Sequence, residues 1–126
     1  MFSLKALVER PLLLKQRRLA ANRAPMSREG FIDAVASTDL GSSAASMLWG
    51  KLAETIICDQ FTPYPDDDLL KAFGLAEEDL DEDVILEIVK ATGSVVPDRD
   101  MLAKFGPVNT PADIIRLIEA SNGELR

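Results

Sequence analysis

Carboxylates crowd one stretch of the chain, YPDDDLLKAFGLAEEDLDEDVILEIVKATG, from Tyr64 to Gly93. Asp66, Asp67 and Asp68 come first, then Glu77, Glu78, Asp79, Asp81, Glu82, Asp83 and Glu87. A calcium loop requires alternating oxygen ligands, a glycine turn and a distant glutamate, and Leu69 and Leu70 interrupt that pattern. Two carboxylates can share acid and base work, but nothing in the sequence marks a pocket around these. Acids at helix starts also favour the dipole with no further role. As a docking face they have a mechanism, because complementary charge steers a basic partner and raises its on-rate. The docking set is Glu77, Glu78, Asp81, Glu82, Asp83 and Glu87.

The rest of the chemical inventory is thin. The chain has no histidine, which removes the usual base near neutral pH, the commonest metal ligand and every His-containing triad. Carboxylates, lysine and serine alone remain, so no enzyme, catalytic residue or metal site is expected. Cys58 is the only cysteine. It lies in the apolar run AETIICDQF and reads as a buried thiol, and its solitude fits a reducing cytoplasm.

The elements that must position the acids are helical. Ser27 caps a helix with Phe31, Ile32 and Val35 along one face, kept short by Gly30. The segment SSAASMLWGKLAETIIC reads as the most apolar helix, with Ser42 or Ser43 as cap. Leu48, Trp49, Leu52 and Ile56 recur there at helical spacing, with Trp49 covered between this helix and the last. A proline-broken loop, residues 59–66, leads to a short turn ended by Gly74. The acidic helix follows, with Asp79 as cap and Glu82 completing the box. Leu80, Val84, Ile88 and Ala91 form its inward stripe, widened by Ile85 and Val89. Thr110, Pro111 and Asp113 give the strongest start signal, for a last helix with Ile114, Ile115, Leu117 and Ile118 facing inward. No segment alternates apolar and polar residues, so the fold class is all-α.

From Ser42 to Ser121 the order is long helix, long loop, acidic helix, short helix, capped helix. That order resembles the acyl carrier protein family, as do ILEIVKATGSVVPDRDM and VNTPADIIRLIEA, and it implies a small four-helix bundle. In such carriers a serine at the start of the acidic helix bears 4'-phosphopantetheine. Counting from Gly74 places that position at Glu77, and counting from Pro97-Asp98 places it at Glu78. Glutamate cannot form the phosphodiester, and no Ser, Thr or Tyr lies between Tyr64 and Thr92. The resemblance therefore implies a carrier-like interaction module without a prosthetic group. The alternative is a true carrier modified at Ser43, because TDLGSSAASML superficially resembles the attachment motif. There the spacing after Gly41 is one residue short, and the helix that follows is apolar.

Charge divides the chain of 126 residues, whose net charge is −7. Residues 1–24 hold six cations against Glu9, a local +5, so the remainder carries −12. An acidic body repels nucleic acid and attracts basic protein surfaces. Residues 1–25 read as a basic N-terminal extension to a carrier-like domain, 26–126, with Met26 as an alternative start. The extension either docks through Leu7, Leu12, Leu13 and Leu19, or lies on a membrane as a basic amphipathic arm. Its apolar run is too short to span a bilayer, and Pro11 interrupts any helix begun at Ser3.

Overall fold

A computed structural model describes residues 4–123, and the side chains of residues 10–81 and 83–123. Every regular element among them is helical. The order is α1 (Leu4–Ala21), α2 (Arg28–Val35), α3 (Asp39–Ala53), α4 (Leu69–Phe73), α5 (Glu77–Asp79), a π-helical stretch (Leu80–Ile85), α6 (Leu86–Thr92), α7 (Arg99–Phe105) and α8 (Pro111–Ser121). Helix α3 runs through the middle, packing on α2, α6 and α8, while α1 packs on α4. Phe31, Leu48, Leu52, Leu69, Ile88 and the inward set of α8 fill the core and are essentially inaccessible. Burying a side chain of this size is worth about 1.5–3 kcal/mol.

Start signals of α2 and α8 act as the sequence suggests. The Ser27 hydroxyl accepts from Gly30 N–H at 3.0 Å. Thr110 accepts from Asp113 N–H at 3.2 Å, and the Asp113 carboxylate returns to Thr110 N–H at 3.1 Å.

Helix α3 departs from expectation at both ends. It begins at Asp39, where the Thr38 hydroxyl accepts from Gly41 N–H at 2.9 Å. Ser42 and Ser43 are therefore inside the helix and cap nothing. Gly41 lies within the first turn because Glu119 of α8 occupies the space beside it. A Cβ on Gly41 would stand 2.0 Å from Glu119 Oε2. The Glu119 carboxylate is fully buried and accepts from Ser37 N–H at 2.8 Å and from the Thr38 hydroxyl at 2.7 Å. Its Oε1 meets no hydrogen-bond partner among the described residues. At the other end α3 stops at Ala53, short of Cys58. There Ile57 and Cys58 turn their N–H groups to Gln16 Oε1, at 2.8 and 3.1 Å.

That glutamine is the anchor of α1. Fully buried, it also donates through Nε2 to Thr55 O at 3.2 Å and Ala72 O at 3.0 Å. Four backbone groups that would otherwise lack partners are satisfied by one side chain. Leu13, Leu19 and Ala20 pack beside it against the core. A second tie follows the helix, where Arg23 grips Asp67 with both guanidinium nitrogens, at 2.6 and 2.8 Å. The guanidinium stacks on Tyr64, 3.9 Å from its centroid. Contrary to expectation, α1 runs through Pro11. The helix-breaking cost of about 3 kcal/mol is offset by this docking. Leu7 lies outside the described side chains.

Trp49 is half-buried, less covered than expected, and leans on Phe31 of α2, ring centroids 5.3 Å apart.

Candidate functional site

Helix α4 is set by its ends. The Asp68 carboxylate accepts from Lys71 N–H at 2.8 Å, and Gly74 takes the left-handed conformation, φ 69°, that stops it. Leu69 turns fully inward and donates its N–H to Asn109 O at 2.9 Å. With both ends and Leu69 fixed in a helix of five residues, the adjacent Leu70 turns outward and is 59% exposed.

The acidic helix starts two residues before the expected cap. Ala76 precedes Glu77 with no side-chain bond, and the Asp79 carboxylate reaches back to Ala76 N–H at 3.0 Å. Asp79 is thus the third helical residue and supplies the acidic half of a capping box. From Leu80 to Ile85 the bonding changes register, so that Leu86 N–H reaches Asp81 O, five residues back. Such π turns are rare and recur at functional sites. Leu80, Val84, Ile85, Ile88 and Val89 are buried as the stripe requires, whereas Ala91 is exposed.

Across from this segment lies α7, capped where Asp98 accepts from Met101 N–H at 2.8 Å. It has no buried residue, and Leu102 stands 44% exposed. Between α4, the π-helical stretch and α7 is a hollow of about 500 Å³. Leu70, Leu75, Leu80, Ile85, Leu102 and Val108 wall it, and Asp68, Glu77 and Asp81 supply carboxylates, with Lys71 as its one lining cation. A second hollow of about 240 Å³ shares Asp81, Ile85 and Leu102 and continues to Val96, Pro97 and Leu117.

The docking set of acids is therefore dispersed in role. Glu77 and Asp81 meet at the large hollow, while Glu78 and Asp83 are exposed away from its lining. Glu87 pairs with Lys51 of α3 and ties two helices together. The Glu82 side chain lies outside the described set. The earlier acids are structural in part: Asp67 is buried in the Arg23 pair and Asp68 is a cap. Ser43 is exposed on α3 and lines neither hollow. Among the described residues no cluster of three or more His, Cys, Asp or Glu is placed to hold a metal ion.

Sequence reasoning missed Leu70 and Leu102. Both sit on helices too short to show a period, so nothing in the sequence separates an outward leucine from an inward one. No family model, no curated protein and no solved structure matches the chain.

Proposed function

We propose that this protein is a non-catalytic interaction module, a carrier-like helical bundle without a prosthetic group, which docks a basic partner surface through its acidic helix. The observation that carries the reading is the placement of Glu77 and Asp81 at the edge of an apolar hollow from which Leu70 and Leu102 project. Charge at such a rim steers encounter, while the desolvated apolar centre holds the complex. Enclosed ligand pockets bury their apolar lining, and outward leucines suit a macromolecular partner better.

The test starts from a pull-down with the full chain, followed by association kinetics of a purified hit at two salt concentrations. Neutralising Glu77, Glu78, Asp81 and Asp83 should slow association and flatten its salt dependence. Unchanged association at low salt would reduce the acids to a solvated face. Intact mass after co-expression with a phosphopantetheinyl transferase should show no added arm, and an arm mapped to Ser43 would instead establish a carrier.

A further inference from the structure

Helix α1 has an outer face that its docking leaves unused. Gln16, with Leu13, Leu19 and Ala20, occupies the inner side. Two residues before Gln16, and so on the opposite side of the helix, Leu14 is 51% exposed, with Arg10 four residues before it and Arg17 and Arg18 three and four after. All three arginines are exposed, and no acid occurs from residue 10 to residue 22. Lys15 joins them from the flank. With Lys71 of α4 it borders a shallow hollow of about 400 Å³, whose remaining lining is Pro11, Leu12, Leu70 and Gly74. Arg23 is the counter-example, drawn inward and neutralised by Asp67. The other five cations have no ion pair among the described residues.

We propose that this face, Arg10, Leu14, Lys15, Arg17 and Arg18 of α1 extended by Lys71, docks on an anionic lipid bilayer. The cations match lipid phosphates. The exposed Leu14 and Leu70 and the apolar hollow between the lysines match the headgroup–acyl boundary. A nucleic-acid backbone has no use for outward leucines, and the face lacks the aromatic rings on which bases stack. No helix among the described residues is long and apolar enough to cross a membrane, so the contact is peripheral. Each cation near an anionic surface is worth about fivefold in partition, and two leucines alone give only reversible binding. Association is therefore salt-sensitive and weak on neutral lipid. The face shares Leu70 and Lys71 with the acidic hollow, but its charge comes chiefly from α1, so its test on vesicles stands apart from the partner-docking reading.

The experiment is sedimentation of the full chain with phosphatidylcholine vesicles, with and without a minority of phosphatidylglycerol. Binding is expected only with the anionic lipid. The triple variant Arg10→Gln, Arg17→Gln, Arg18→Gln should lose about a hundredfold. The matched variant Lys90→Gln, Arg99→Gln, Lys104→Gln, equal in charge but off the face, should lose far less. Leu14→Ser should lose severalfold. All these positions are exposed, and unchanged circular dichroism and melting should accompany each variant. Hydrogen exchange of the unmodified chain gives a variant-free readout, with protection by anionic vesicles concentrated in residues 10–21. Equal binding to both lipids, or equal losses in the two triple variants, would overturn the proposal. So would tighter binding to a duplex oligonucleotide than to vesicles at the same phosphate concentration.

Discussion

Where α3 meets α8, a buried carboxylate, two donors and the absent side chain of Gly41 leave no space. Where α4 meets the π-helical stretch and α7, two hollows remain and Leu70 and Leu102 face solvent. Both regions join helices, and in both a carboxylate stands at a helix start. The difference lies in cover: the Glu119 carboxylate is fully enclosed by the chain, even though its Oε1 has no hydrogen-bond partner among the described residues, whereas Leu70 and Leu102 are not enclosed. The first seam is closed and sets the fold. The second has apolar surface and charge left over, which is the condition for recognising something else.

The largest expected effect breaks the closed seam. Gly41→Ala places a methyl group inside the Glu119 carboxylate and should cost about 3 kcal/mol by overpacking. Chemical denaturation would measure it, and a loss under about 1 kcal/mol would mean that α8 can shift away freely. Next comes the α1 anchor. Gln16→Ala strands the N–H groups of Ile57 and Cys58 and the carbonyls of Thr55 and Ala72, at an expected cost of about 2–4 kcal/mol. A near-neutral result would show water replacing the side chain and would make α1 a loosely held appendage.

The open seam should answer differently. Leu70→Ser and Leu102→Ser should each change stability by no more than about 0.5 kcal/mol, while weakening any partner that uses the hollow. A large stability loss would mean that these leucines are part of the core after all.

The smallest effect concerns the α8 cap. Burial raises the Asp113 carboxyl, but the N–H groups of Asn109 and Thr110, the Thr110 hydroxyl and Arg116 more than offset it, leaving the pKa below its ordinary 3.8. A folded pKa below the unfolded one contributes stability above the unfolded value and loses it as pH falls through the folded value. Acid titration of stability should therefore be slightly shallower below pH 3.8 in Asp113→Asn than in the unmodified chain. Parallel curves would remove Asp113 from the acid limb.

How much of this was legible in the sequence depended on distance along the chain. The caps at Ser27, Thr110 and Asp113, the stop at Gly74, the inward stripe of α8 and, Ala91 apart, that of the acidic helix follow from neighbours within four residues. The start of α3 was misplaced because Glu119, 82 residues from Ser37, sets why a glycine belongs in its first turn. Gln16 was silent for the same reason, since its partners lie 39 to 56 residues away. Pro11 gave the correct local signal, and tertiary docking overrode it. The acids at Glu77 and Asp81 were visible as charge, but the hollow beside them depends on the outward turn of Leu70 and Leu102, which short helices do not announce.

The Glu119 carboxylate also fixes an order of events during synthesis. Ser37, Thr38 and Gly41 leave the ribosome long before the residue that completes their hydrogen bonds. Until α8 emerges, α3 has its Thr38 cap but an empty space beside Gly41, and its apolar face is uncovered. Contacts of such long sequence separation close late and slow folding. The nascent chain therefore passes through a stage in which the segment of its central helix lacks its final neighbour and its apolar side still faces water.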